Sequence, residues 1–402
     1  MTYDVIVVGA GIIGLATAKT LLERHPGRRL AVIDKEPRIA AHQSGHNSGV
    51  IHSGIYYAPG SLKAKLCVAG SQELYRYCAE RGIPTDRCGK VIVATEESEL
   101  PRLQSLFERG QANGVQGLEL VGPERLRELE PHSAGIRAIF SPNTGIVDHA
   151  QVTHAYAADV RNAGGEIHTG RPLLGIRTGG SEVLLETPVG ELTCRNLVTC
   201  AGLQADRVAR MTGGGIEPRV VPFRGDYWQL APPARHLARN LIYPVPDPSF
   251  PFLGVHATRR IGTGEVWLGP NAVLAFAREG YGRLTTNPSD LLGAVSSRGL
   301  QRLAWKYWRM GAVEMWRDAS KRAFLHSVQR YLPEVRMADM VPGPSGVRAQ
   351  ALDRSGTLVD DFIVDVEGTR VLHVRNAPSP AATSSLAIGR LVADRAEEVF
   401  GG

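Results

Sequence analysis

An apolar strand, Val5-Ile6-Val7-Val8, runs straight into Gly9-Ala10-Gly11-Ile12-Ile13-Gly14, and a second short apolar strand, Leu30-Ala31-Val32-Ile33, ends on Asp34. This order of strand, glycine turn, helix, strand and acid constrains the chain to open as a dinucleotide-binding unit. Gly9 permits the tight turn, Gly11 clears the backbone where a pyrophosphate approaches, and Gly14 lets the helix pack on its strand. The helix N-terminus, with Ile12 in its first turn, offers free N–H groups to phosphate, and the Asp34 carboxylate suits ribose hydroxyls, with Lys35 beside it. A strand-to-helix turn that binds nothing has the same glycines, but the following strand and acid in sequence weigh against that reading. FAD and NAD share the unit, so the choice between them rests on the rest of the chain.

With 402 residues, 43% hydrophobic and 21% charged, the chain can bury a large core and is expected to form two domains. The formal net charge of +6 comes without an arginine-rich arm, zinc spacing or RNA-binding aromatic motif, so nucleic acid is not an expected partner. Five cysteines with no CxxC pair argue for a reducing compartment and against a disulfide framework or metal site. The first strand is expected from Tyr3, and no run of about twenty apolar residues follows. A cytoplasmic protein is therefore expected, resting at most on the inner face of the cell membrane.

Helical periodicity is read at 62–81, 97–113, 149–163 and 384–400, and strands at 90–94, 196–199, 227–230, 266–269 and 371–374. The apolar strand at 196–199 ends in small residues, Ala201-Gly202, which returns the chain to the nucleotide sheet. The expected fold is α/β: a discontinuous Rossmann-like FAD-binding domain (1–88, 147–220 and 339–402) carrying an inserted α+β substrate domain (89–146 and 221–338). A long helical cap is expected at about 289–332.

Several loops carry more specific patterns. His46-Asn47-Ser48-Gly49-Val50-Ile51-His52-Ser53-Gly54-Ile55-Tyr56-Tyr57 is followed by Ser61-Leu62-Lys63-Ala64-Lys65-Leu66-Cys67. Further on stand Pro222-Phe223-Arg224-Gly225, Phe252-Leu253-Gly254-Val255-His256, Trp267 to Ala272, Gly346-Val347-Arg348-Ala349-Gln350 and Asn376 to Thr383. Together they resemble the L-2-hydroxyglutarate dehydrogenases and oxidases, within the D-amino-acid-oxidase-like FAD oxidoreductases, over nearly the whole chain.

The resemblance implies FAD, oxidation of L-2-hydroxyglutarate to 2-oxoglutarate by hydride transfer from C2 to flavin N5, and passage of electrons to a membrane quinone or oxygen. It implies that Gly9, Gly11, Gly14 and Asp34 hold the ADP half, and that Ser44, Asn47, Ser48, Gly49 and Ile51 line the pyrophosphate and flavin. Leu173 then contacts adenine, Ala201 and Gly202 border the cofactor, and the segment Pro380-Ala381-Ala382-Thr383 aims a helix N-terminus at the flavin. A non-covalent flavin is expected, although some relatives attach theirs through a histidine near His46.

For the substrate, Arg348 is the first choice to clamp a carboxylate, a planar guanidinium making two parallel bonds; an interdomain salt bridge is its alternative. The second carboxylate is left to Arg224 or to Tyr56 and Tyr57. For the proton acceptor His256 is preferred to His52, each having small neighbours that leave room for a ligand. Residues 291–325 carry seven cations, among them Arg298, Arg302, Lys306 and Arg309, against Glu314 and Asp318, interleaved with Trp305, Trp308 and Trp316. They read either as a helix at an anionic membrane surface or as an ordinary cap. Other functions stay open: an oxidase of another 2-hydroxy acid, a sarcosine- or glycine-oxidase-like enzyme, or a flavin-stabilised adaptor without turnover.

Overall fold

The computed structural model, which describes residues 2–215, 217–247 and 254–401, holds two large sheets and a small third one. Phe252 and Leu253 of the histidine motif lie outside the described residues. The first sheet is parallel at its centre, in the strand order Glu166–His168, Leu30–Ile33, Thr2–Val8, Gly190–Thr199 and Val371–Asn376. Val5 to Val8 and Leu30 to Ile33 are buried on both faces, which is why they read as unbroken apolar runs. The helices Ile12–Arg24 and Ser385–Phe400 cover one face, packed so closely that a Cβ on Gly389 would strike the Ala16 backbone. Leu62–Glu80 starts where Ser61 Oγ accepts the Ala64 N–H, and His149–Asn162 where the Asp148 carboxylate accepts that of Ala150.

The second sheet is mainly antiparallel. From one edge inward it runs Met340–Leu352, Arg219–Leu230, Val266–Gly269, His256–Arg259, Leu241–Pro244 and Lys90–Ala94, then on to Arg137–Ser141 and Glu119–Val121. Val50–Ile51, Thr85–Asp86 and Gly145–Val147 form the small sheet that joins the two halves.

Two boundaries differ from the sequence reading. Met340–Leu352, which carries Arg348, pairs along its length with Arg219–Leu230 and so belongs to the second sheet. The chain regains the nucleotide sheet only at Ile363–Glu367, not at 339. The expected long cap is four helices: Pro288–Val295, Arg298–Lys306, Trp308–Ala319 and Lys321–Gln329. Ser297 and Ser320 break it by accepting the Leu300 and Ala323 N–H groups, the preference of serine for helix starts overriding apolar periodicity. No helix among the described residues is long and apolar enough to cross a membrane.

Candidate active site

At the carboxyl end of the parallel sheet three turns converge, after Val8, Ile33 and Thr199. Gly9 has φ +112°, and a Cβ there would strike the Cys200 carbonyl; one on Gly14 would strike the Gly9 carbonyl. The Cys200 N–H donates to Val8 O (2.7 Å), holding Ala201 and Gly202 beside the glycine turn. The Asp34 carboxylate accepts the N–H groups of Ala10 (2.7 Å) and Glu36 (2.8 Å). Each oxygen keeps a lone pair for a ribose hydroxyl. Gly170 and Arg171 donate to Glu36 O (2.7 Å) and Asp34 O (2.8 Å), which brings Leu173 to the same corner. A Cβ on Gly11 would lie 3.3 Å from Ser44 Oγ, which accepts the Ile12 N–H (2.9 Å). Bare backbone, a helix N-terminus and an acid at the second strand end fit a dinucleotide. Lys35 braces this corner, its ammonium held by Glu36 and Glu279.

The polar loop from His42 to His52 is organised by Asn47, whose amide donates to Gln43 O (3.0 Å) and Ser44 O (2.8 Å) and whose Oδ1 accepts the Gly49 N–H (2.9 Å). Gly49, next to Ser48, has φ +74°, and a side chain there would strike Val147 O and Arg260. Ile51 is buried, and on either side of it Thr383 stitches the chain: its hydroxyl donates to Val50 O (3.3 Å) and accepts the His52 N–H (3.1 Å). Pro380, Ala381 and Ala382 lead through that contact into the last helix, whose first residues, Ser384 and Ser385, are fully buried. His46 lies outside this corner, stacked on Tyr281 at 3.9 Å.

Across the second sheet runs a row of polar side chains from five strands. Lys90 opens one strand, and Leu241 is its register partner. Tyr243, two residues on, shares that face and stacks on His256 at 3.9 Å and 14°. His256 pairs with Gly269, whose missing side chain leaves space that Tyr227 fills. Arg348 stands on the strand paired with that of Tyr227, and its charge bears on the Tyr227 hydroxyl. His52 and Tyr56 close the row from the polar loop, Tyr56 presenting its ring to Lys90 Nζ at 4.5 Å. A cleft of about 560 Å³ opens beside Tyr227, lined also by His46, Asp226, Tyr281 and Ser345.

The electrostatics of the row follow from burial. His256 Nδ1 bonds Gly254 O (2.8 Å), so it carries the proton, and among the described residues Nε2 has no partner. Burial pushes the ring pKa down to about 3; the Gly254 bond opposes this, while Arg348 and Lys90 add to it. Burial also holds His52 well below the ordinary histidine value, with Lys90, His149, His256 and Arg348 adding their charge, and among the described residues its buried Nδ1 has no partner. Among the same residues the Tyr56 hydroxyl is equally without one.

A family model described as FAD dependent oxidoreductase matches residues 4–395. L-2-hydroxyglutarate dehydrogenase of Nematostella vectensis, named as mitochondrial, is 54% identical, covering 99% of this chain and 91% of its own. The protein of that name from Indibacter alkaliphilus is 45% identical over 100% of both chains. Among solved structures, L-α-glycerophosphate oxidase of Mycoplasma pneumoniae superposes with a TM-score of 0.81 at 21% identity, covering 100% of this chain and 95% of that one. Glycine oxidase of Geobacillus kaustophilus gives 0.75 at 19%, covering 99% and 95%. The chain belongs to the L-2-hydroxyglutarate dehydrogenase family of FAD-dependent oxidoreductases.

FAD is therefore the dinucleotide of the glycine turn, and the chain is an FAD-dependent hydroxy-acid dehydrogenase. Of the residues singled out in the sequence of this flavoenzyme, Arg348, His256, His52 and Tyr56 come together. Tyr57 instead presents its ring to Lys63 Nζ at 5.7 Å. Arg224 does not join them. Its register neighbour Phe223 pairs with Arg348, so Arg224 points to the opposite face of the sheet. There Asp226 grips its guanidinium at 2.9 and 3.1 Å, and the carbonyls of Gly282 and Arg283 accept its remaining bonds. Sequence reasoning passed over Lys90, Tyr227 and Tyr243. The signal for Lys90 was present: it is the one charge in the run Lys90-Val91-Ile92-Val93-Ala94, a strand patterned for full burial.

Proposed function

We propose that this flavoenzyme oxidises L-2-hydroxyglutarate to 2-oxoglutarate. The observation that carries the reading is the row itself: a histidine whose Nε2 has no partner among the described residues, flanked by the buried Lys90 and the half-buried Arg348. Arg348 binds the C1 carboxylate through two parallel hydrogen bonds, and His256 Nε2 accepts the C2 hydroxyl proton. Bound FAD supplies the two-electron acceptor for the hydride that leaves C2. A dianionic substrate offsets the charges of Arg348 and Lys90, which add to the larger effect of burial, and so returns part of the ring's basicity. An amine substrate fits less well, because no carboxylate is among the charges that bear on His256 or Lys90. The curated relatives carry the same activity in their names.

Anaerobic mixing tests this. The oxidised flavin spectrum should bleach with L-2-hydroxyglutarate and hardly change with the D enantiomer, sarcosine or glycine. Equal bleaching by both enantiomers, or none by either, rejects the reading.

For the reoxidising step, we infer a lipid-dissolved quinone reached from the membrane surface. Trp305 is 85%, Trp308 61% and Trp316 65% exposed on the helical cap, beside exposed Lys306 and Arg309. Exposed tryptophans among cations are the composition of a surface that sits among anionic headgroups. Each cation contributes about 1 kcal/mol there. Charge reversal at Lys306 and Arg309 should weaken sedimentation with anionic vesicles and slow turnover with a long-chain quinone, while anaerobic flavin reduction stays normal. A wild type that ignores such vesicles at low salt makes the cap a structural one and oxygen the acceptor.

A further inference from the structure

We propose that Lys90 receives the second carboxylate of the substrate, the one remote from the reacting carbon, and so selects a dicarboxylic 2-hydroxy acid over a monocarboxylic one. This rests on the proposed oxidation of a 2-hydroxy acid at His256.

Lys90 is 1% exposed, at the start of a strand hydrogen bonded on both edges, to Leu241 and to Ser141. Lysine is almost never buried to this degree without an anion, because its ammonium gives up hydration that something must replace. Among the described residues, Nζ donates no hydrogen bond and has no carboxylate partner. It is faced instead by two aromatic rings, Tyr56 at 4.5 Å and Tyr243 at 5.0 Å. Such faces compensate a cation in part and leave it free to bond an incoming anion. The unpartnered, buried Tyr56 hydroxyl stands in the same corner as a second donor.

Position adds a second argument. Arg348 and Lys90 lie at opposite ends of the row, and the charge of each bears on His256 between them. A diacid bound at both ends holds its reacting carbon near the middle, against the histidine. Arg224, the other candidate for this carboxylate, is neutralised by Asp226 on the far face. Burial lowers the Lys90 pKa to about 7, with Cys67 opposing; an anion bound to Nζ must raise it. The groups that face this ammonium are Tyr56, Tyr243 and Cys67, with His52, His256 and Arg348 further along the row.

Lys90→Met keeps the length and apolar stem of the side chain and removes its charge. In the holoenzyme, with FAD content and melting temperature recorded, two substrates are compared: L-2-hydroxyglutarate and L-2-hydroxypentanoate, the same carbon chain without the distal carboxylate. The variant should lose about a hundredfold in kcat/KM for the diacid, mostly through KM, and stay within about threefold of wild type for the monoacid. Equal losses on both, or no loss on either, overturn the proposal while leaving the oxidation reading intact. If wild type reduces its flavin with neither acid, the oxidation reading has failed instead.

Should the variant not retain FAD, wild type alone decides the matter. Calorimetry at pH 8, in buffers of differing ionisation enthalpy, counts protons taken up with 2-oxoglutarate and with 2-oxopentanoate. About one proton more is expected for the diacid. Equal uptake rejects the role of Lys90, because the carboxylate that both ligands share acts alike on the histidines.

Discussion

At the end of the parallel sheet a ligand meets backbone: glycines with no room for a side chain, N–H groups at a helix start, and one carboxylate clamped by two amides. Across the antiparallel sheet it meets side chains, with Lys90 and His256 buried among the rings of Tyr56 and Tyr243. The glycine turn, helix start and clamped acid of the first surface lie within about thirty residues of chain, and the turn after Thr199 closes on them. The second draws on strands more than two hundred and fifty residues apart and depends on register. Backbone suits the invariant pyrophosphate of a cofactor; side chains at separate strand positions can be altered one at a time to suit a substrate.

The largest effect should come from violating the backbone surface. Gly14→Ala forces a Cβ into the Gly9 carbonyl and should abolish FAD retention, at a cost of at least about 3 kcal/mol. Flavin absorbance after desalting reads this out. Gly27→Ala, where φ is +86° but nothing lies within 4 Å, should keep its flavin and lose only about 1 kcal/mol of stability. Equal outcomes would remove the distinction between a glycine held by its neighbours and one held by its turn.

On the side-chain surface, Arg348→Lys loses the bidentate geometry and should cost about 2–4 kcal/mol in kcat/KM. Arg224→Gln sharpens the contrast, because that guanidinium sits on the other face of the same strand pair. It should lower the melting temperature by stranding Asp226 and leave KM within about threefold. If Arg224→Gln raises KM as much as Arg348→Lys does, the register argument fails.

His256→Ala should slow flavin reduction about a hundredfold and remove one ionisation from its pH profile. His52→Ala, which removes a ring but leaves the backbone bond to Thr383, should have the smaller effect. The reverse order would exchange their roles.

The mildest test is acid. Burial holds His149 and His373 neutral, at about 4 each, against 6.5 for the unperturbed side chain. The unfolded chain therefore binds more protons below pH 6.5. The contribution of these two histidines should be constant above that pH and fall as pH drops toward 4, by about 1.4 kcal/mol per pH unit for each that stays neutral. His373 lies in the parallel sheet, bonded by the hydroxyls of Thr199 (2.7 Å) and Thr212 (2.9 Å). His373→Gln should flatten part of that slope in a denaturation series without altering substrate KM.

The nucleotide unit was legible because every part of it is local. A strand of four apolar residues, glycines at fixed spacing and an acid at the next strand end are consequences of one turn and one helix. The capped breaks at Ser297 and Ser320 were equally local and were passed over in favour of a long apolar periodicity. In the substrate half, the motifs around His256 and Arg348 marked which residues matter. They put Arg348 first for one carboxylate and left the second to Arg224 or to Tyr56 and Tyr57, since only strand pairing assigns each arginine a face.

By itself, then, the sequence determined the nucleotide-binding unit, the family and a short roster of cations and histidines, because glycine spacing and apolar period act over a few residues. Tertiary structure alone decided that Lys90, Tyr243, His256, Tyr227 and Arg348 form one row and that Arg224 is outside it. The reason is that side chains alternate across a sheet: a one-residue change in register exchanges the faces, and register is fixed only when distant strands pair.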